Sequence, residues 1–215
     1  MASRPASEPL AAPQAADSGA PLKPPAGLNG LLSRFVKEFR IRQALRQVNG
    51  GTSVLDLGCG LCEIVPRIPA PVAYVGIERD AWMIERARRL FPHRRFVQAD
   101  IEDPAFEPAS PADRVLLVAV WEHLARPLEL LRRAFDWTVP GGHFVLTTPA
   151  PRSNHILAVG SHLHILSRQA DFEHERLWQS TEIAEGGERA GWRTVLATDF
   201  LLGLNQLVVL ERPRA

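Results

Sequence analysis

Asp56, Glu78, Asp100 and Glu122 recur at intervals of 22 residues, each closing a short apolar run. The runs are Val54-Leu55, Tyr74-Val75-Gly76-Ile77, Phe96-Val97-Gln98-Ala99 and Val115-Leu116-Leu117-Val118-Ala119-Val120. That interval suits one strand, one helix and two turns, so the carboxylates would gather at one edge of a parallel sheet. Ligands of open α/β sheets bind at this carboxyl edge. Asp56 belongs to Val54-Leu55-Asp56-Leu57-Gly58-Cys59-Gly60, where glycines let the main chain turn sharply and admit a ligand where a Cβ would collide. A strand, a glycine turn and a helix in that order make a cradle for a phosphate or a small cofactor. His123 follows Glu122 directly, and His155 and His174 lie in a stretch, 150–179, that holds four of the seven histidines. Imidazoles with an ordinary pKa of about 6.5 can take a proton near neutrality.

These residues need elements to hold them. Residues 1–27 are rich in Ala and Pro with no apolar period, and such a segment cannot bury enough surface to offset its ordering entropy, so a disordered tail is expected. Leu28, Leu31, Leu32, Phe35 and Phe39 then follow helical spacing, predicting a helix over 28–48 that Asn49-Gly50-Gly51 stops and that covers the cofactor site. Asp80 can cap a second helix with Met83, Ile84, Ala87 and Leu90 on its inner side. Pro104, Pro108 and Pro111 make the connection after the third strand irregular. A helix with Leu128, Leu131 and Phe135 inward follows the fourth strand, and Pro140-Gly141-Gly142 signals a turn before a fifth, His143 to Thr148. Residues 150–179 read as a substrate-side insertion with a helix around 156–166. Ser180 can cap a helix ending near Gly191, and Trp192 to Thr198 with Leu204 to Leu210 form two final strands, too closely joined for a crossover helix and so antiparallel.

Composition narrows the function classes. The 215 residues are 46% hydrophobic and 23% charged, enough for one α/β core. A formal net charge of +1, with no basic stretch interleaved with aromatics, gives no reason to expect nucleic acid and favours a small-molecule partner. No apolar run reaches the roughly 18 residues of a membrane span. Cys59 and Cys62 are the only cysteines, too few for a disulfide framework, so a reducing cytoplasmic setting is expected. The sequence carries no metal-ligand pattern, and oligomeric state is not legible.

Taken together, the Val54–Gly60 motif, Glu78 after the second strand, Asp100 after the third, Glu122-His123-Leu124 after the fourth and Pro140-Gly141-Gly142 before the fifth resemble a class I S-adenosylmethionine-dependent methyltransferase. The likeness spans about residues 28–211, and the Arg152–Trp192 region is faintly similar to ubiquinone-biosynthesis O-methyltransferases. It implies a Rossmann-like α/β fold, with a seven-stranded mostly parallel sheet, helices on both faces and the last strand antiparallel. It also implies S-adenosylmethionine as cofactor and a small organic methyl acceptor, with oxygen the expected atom. Glu78, with Arg79 beside it, takes the two ribose hydroxyls. Asp100 and Ile101 take adenine. Gly58, Cys59 and Gly60 lie against the methionine end, with Asp56 ordering the loop or meeting the ammonium. Ala119 and Val120 flank the sulfonium, and Arg42 matches a position that reaches the methionine carboxylate. If the acceptor is a hydroxyl, His123, His155 and His174 are the candidate bases. The chain departs from the pattern at Cys62, where many members carry a third glycine, and at Pro66, which shortens the following helix.

Three other readings are weighed. The C-x-x-C pair after a strand suits a thioredoxin-like protein but leaves Glu78 and Asp100 unexplained. A nicotinamide dehydrogenase needs Gly or Ala where Glu63 stands. A cofactor-binding scaffold without turnover shares every motif.

Overall fold

Val54 and Asp56 alternate with Leu55 and Leu57 along the first strand, β1 (Ser53–Leu57), and all four are buried, so β1 is covered on both faces. A strand of that kind belongs at the centre of a parallel sheet. In the computed structural model, which describes residues 31–152 and 177–214, β1 pairs in parallel with β2 (Ala73–Glu78) on one side and β4 (Ala112–Val118) on the other. β3 (Arg95–Gln98) extends the sheet beyond β2, and β5 (Thr138–Pro149) beyond β4. β7 (Asn205–Glu211) runs antiparallel to both β5 and β6 (Arg193–Phe200), giving the order β3-β2-β1-β4-β5-β7-β6. This is the seven-stranded, mostly parallel sheet expected, with only the last strand reversed.

Two apolar layers sandwich the sheet. On one face, Val54, Tyr74, Phe96, Leu116, Val145 and Val209 meet Ile41, Ala44 and Val48 of α1 (Leu31–Val48) and Ile84 and Ala87 of α2 (Ala81–Leu90). On the other, Leu55, Leu57, Ile77, Leu117, Leu146 and Leu210 meet Leu130, Leu131 and Ala134 of α3 (Pro127–Asp136) and Ile183 of α4 (Ser180–Arg189). Asp80 caps α2 by accepting a hydrogen bond from the Met83 amide at 3.0 Å.

Several expectations are corrected. No α-helix follows the glycine turn: Pro66, Pro69 and Pro71 remove amide donors and disfavour helical geometry, leaving one 3-10 turn at Val65–Arg67. The strand–helix alternation read from the 22-residue interval therefore fails between β1 and β2, and again between β3 and β4, where the proline-rich link was expected to be irregular. There the edge-on contact of Phe106 with Trp137 and the 2.6 Å bond from Trp137 Nε1 to Glu107 tie the link down instead. Leu90 and Leu128 were assigned to inner faces but are exposed; Phe35, one of the helically spaced residues, is exposed too and packs on Phe39 of its own helix. Pro140-Gly141-Gly142 is not a turn ahead of the strand but a bulge within β5, where six residues from Thr138 to His143 oppose three from Ala112 to Arg114. Gln179, not Ser180, caps α4, in a reciprocal box with Glu182. The tail over 1–27, the start of the first helix, and the helix around 156–166 with His155 and His174 lie outside the described residues.

At the amino edge, Asp113 on β4 joins the strand to β1. One of its oxygens, Oδ2, accepts from the amides and hydroxyls of Thr52 and Ser53 at 2.7–3.1 Å, and Ser53 Oγ accepts from the Asp113 amide at 2.9 Å. These bonds hold the Asp113 carboxyl below the usual carboxylate range against the opposing effect of burial. Asp113→Ala, which strands those donors, is expected to cost about 1–3 kcal/mol and lower the thermal midpoint by several degrees. Differential scanning fluorimetry measures it, and an unchanged midpoint would show that the staple carries no stability.

Candidate cofactor cleft

The carboxyl edge of β1 and β2 is built around one carbonyl. Ile77 on β2 accepts from the amides of Gly58 at 2.8 Å and Cys59 at 2.9 Å, which folds the chain over the end of β2 as soon as β1 stops. Gly58 has φ +74°, and a Cβ there would lie 2.6 Å from Cγ2 of Val120. Gly60, with φ +51°, faces open space, with nothing within 4 Å of where its Cβ would be. The first glycine lets β1 and β4 close on each other; the second leaves a cradle that a side chain would fill.

Glu78 locks this loop. Its Oε2 accepts from the Gly60 amide at 3.1 Å, while Oε1 accepts from the amides of Arg79 at 2.9 Å and Asp80 at 3.1 Å. The carboxylate thus stands at the lip of the cradle, pointing from the end of β2 toward the loop. Arg79 is exposed, and its carbonyl accepts from Gln98 Nε2 at 3.3 Å. Asp100 follows β3 in the same edge row; its Oδ1 accepts from the Glu102 amide at 2.9 Å, and Ile101 beside it is buried in the core.

Asp56 does not share that cleft. It lies inside β1, paired in register with Gly76 and Leu116, and its buried carboxylate accepts from the Tyr74 hydroxyl at 2.6 Å. Burial pushes its pKa up from 3.8 to about 6, opposed by the Tyr74 bond and reinforced by the Glu78 charge. Asp56 therefore supports the loop from beneath.

Cys59 also turns away. Its Sγ occupies the space beside Gly76, where a Cβ would come within 2.8 Å, so only its backbone lines the loop. Cys62 takes φ +59°, the left-handed geometry that glycine would adopt without strain, and its Sγ lies 3.7 Å from that of Cys59. Both thiols are buried and unoxidised, and hydrogen bonding with burial pushes the Cys59 thiol far up, opposite to the lowered pKa of a redox-active cysteine.

The edge continues at the end of β4. Ala119 also adopts a left-handed φ of +57°, with its amide bonded to Thr147 O at 2.8 Å, and this turn drives Val120 onto Gly58. Trp121–His123 forms one 3-10 turn in which Glu122 is buried and His123 exposed. Glu122 Oε2 accepts from the Thr148 hydroxyl at 3.0 Å, and Oε1 lies 3.8 Å from Nη1 of Arg40. Arg40 Nε donates to Asn205 Oδ1 at 2.5 Å.

Arg42 is placed elsewhere. Two residues further along α1 is about 200° around the helix, and there its Nε donates to Glu38 at 2.8 Å. Arg67 holds the other oxygen of Glu38 at 2.7 Å. The groove beside Arg42 is lined by Val48, Asn49 and Pro69, near the amino edge of the sheet. Arg40 is the arginine of α1 that reaches the carboxyl edge. Sequence reasoning passed over Arg40, Tyr74, Thr148 and Asn205, since none stands in a motif. Tyr74 alone carries a signal: a phenol inside an apolar strand needs an acceptor when buried, and Asp56 on the adjacent strand supplies it.

The residues present fit an adenosyl cofactor. Gly60 leaves room, and a carboxylate offers about four acceptor directions, of which Glu78 uses three. Asp100 Oδ2 makes no hydrogen bond among the described residues.

A methyltransferase domain family model matches residues 28–197. A trans-aconitate 2-methyltransferase of Rhizobium leguminosarum bv. trifolii is 29% identical over 140 residues, 64% of this chain and 50% of its own length. This chain thus spans about half the length of that curated relative. Among solved structures, an O-methyltransferase family protein from Burkholderia thailandensis superposes with a TM-score of 0.63 at 17% identity, over 86% of this chain and 57% of its own. A TehB-like methyltransferase from Corynebacterium glutamicum does so at 0.58 and 18%, over 84% and 97%. These likenesses bear on the fold.

Two outcomes test the geometry. Asp56 is protonated more readily folded than unfolded, so its contribution is fully present below pH 3.8 and is lost as pH rises through about 6, by a few kcal/mol. Urea unfolding of the protein and of Asp56→Asn across pH 4–7 should show that this slope vanishes in the variant; identical slopes would contradict the buried carboxyl. Gly60→Ala should lower stability by only about 1 kcal/mol yet weaken S-adenosylhomocysteine binding at least about tenfold by calorimetry, whereas unchanged affinity would place the cofactor elsewhere.

Proposed function

Because the chain belongs to the S-adenosylmethionine-dependent methyltransferase family, we propose that it transfers a methyl group from that cofactor to an oxygen of a small organic acceptor. The observation that carries this reading is the open cradle over Gly60 with Glu78 at its lip. Bound there, S-adenosylmethionine supplies a methyl group activated by its sulfonium. The work of the chain is to bind and align. Glu78 accepts from the ribose hydroxyls, giving up or sharing its bond to the Gly60 amide. Asp100, through Oδ2, accepts from the adenine amine, with Ile101 backing the ring. The main chain of Gly58, Cys59 and Gly60 lies against the methionine end, and the left-handed turn at Ala119 with Val120 sets the depth of the cleft beside the reacting centre. Holding an acceptor oxygen in line at near-attack distance is worth up to about 7–11 kcal/mol.

The acceptor side is formed by the ends of β4, β5 and β7. The curated relative's name, trans-aconitate 2-methyltransferase, supports a carboxylate oxygen as one acceptor. A carboxylate, with an ordinary pKa of about 4, is ionised at neutral pH and needs no base. A hydroxyl acceptor would call on His123, His155 or His174.

Release of S-adenosylhomocysteine and a gain of one methyl group, read by mass spectrometry with trans-aconitate and other small acids and phenols as acceptors, tests the reading. Binding of cofactor without turnover on any acceptor would favour a scaffold. Glu78→Ala should weaken S-adenosylmethionine binding roughly 10- to 100-fold while keeping the fold, and unchanged affinity would refute the ribose assignment.

A further inference from the structure

Arg40 is a largely buried cation at the carboxyl edge. Its side chain is 16% exposed, yet among the described residues it hydrogen-bonds through Nε alone, to Asn205. Glu122 lies at 3.8 Å from Nη1, beyond hydrogen-bond distance, and has its other oxygen engaged by Thr148. The four Nη protons, which form the flat face that matches a carboxylate in bidentate fashion, make no hydrogen bond among the described residues. The fork is not sealed in protein, and a guanidinium so largely withdrawn from water is stabilised when an anion completes it. Glu122, fixed by Thr148, holds the group in place by charge without occupying the fork.

Position in the sheet indicates whose anion this is. Asn205 stands on β7, three strands from β1 in the order β1-β4-β5-β7. At about 4.8 Å per strand the separation is roughly 14 Å. The glycine loop that takes the methionine end lies on β1, and Ala119, beside the reacting centre, lies on β4. A molecule placed to receive the methyl group must extend beyond β4, over the ends of β5 and β7, where the Arg40 fork is.

We propose that Arg40, positioned by Asn205 and Glu122, is the acceptor-recognition residue, and that it pairs with a carboxylate of the acceptor, which makes the substrate a small organic acid. This rests on the methyltransferase reading above. Where the acceptor carries two or more carboxylates, Arg40 holds one while another, or a hydroxyl, receives the methyl group. Asn205 fixes the plane of the guanidinium, so it acts as a positioning residue.

The test uses the full chain, with trans-aconitate as probe and its amide analogues, in which neutral carboxamides replace single carboxylates, as the control. Methyl transfer to trans-aconitate is expected, with Arg40→Met raising its KM roughly 10- to 100-fold and Arg40→Lys less. S-adenosylhomocysteine affinity by calorimetry should be unchanged in both variants, which also shows that the cofactor site is folded. The analogue that lacks the recognised carboxylate should be a poor substrate of the unaltered protein and insensitive to Arg40→Met. Three results overturn the proposal: loss of cofactor affinity in Arg40→Met with KM for the acid unchanged, which would assign the fork to the methionine carboxylate; equal KM values for acid and amide; or transfer to phenols but not to the acid. Failure of the unaltered protein to bind cofactor would instead defeat the methyltransferase reading, and with it this one.

Discussion

The bond between the Gly60 amide and Glu78 joins the two halves of the candidate site. It exists because β1 and β2 run parallel with Leu57 opposite Ile77, so the residue after Ile77 meets the loop after Leu57. Shifting that register by one residue would turn Glu78 to the opposite face and leave the loop without its anchor. The two amides donated to Ile77 O, the left-handed turns at Gly58 and Gly60, and the approach of Val120 all presuppose the same register. The cradle is a consequence of strand pairing more than of loop sequence.

Strain and buried polarity collect at this edge. Cys62 and Ala119 hold left-handed backbones that suit glycine better, and Asp56 and Glu122 are carboxylates placed out of water. Each is offset by a specific contact: Tyr74 for Asp56, Thr148 for Glu122, the Thr147 carbonyl for the Ala119 amide. Such features cost stability and persist where surrounding structure over-determines them. The amino edge, by contrast, is closed by ordinary hydrogen bonds donated to Asp113 by the Thr52 and Ser53 amides.

Much of the fold was legible because the strands are continuous apolar runs with acidic or glycine stops, and that pattern survives whatever connects them. The connections were less legible. The same 22-residue interval accommodates a helix between β2 and β3 and a proline-broken link between β1 and β2, so spacing could not distinguish the two. Inner and outer faces of the short helices were misjudged at Leu90 and Leu128 because a ten-residue helix shows too few turns to define its stripe. Glu78 and the glycines could be read from type and position. Asp56 could not be told from an edge residue without knowing that β1 extends to Leu57. Arg40 was invisible because α1 carries several arginines, and only the packing of Ile41, Ala44 and Val48 decides which of them faces the sheet edge.

Backbone hydrogen exchange with and without S-adenosylhomocysteine addresses the central claim most directly, since it reports ligand contact amide by amide. Saturating ligand should slow exchange at the amides of Gly58, Cys59, Gly60, Arg79, Asp80, Ile101 and Val120, and leave the amino edge around Thr52 and Asp113 unchanged. Protection confined to other segments, or none at saturating concentration, would contradict a cofactor cradle held by Glu78.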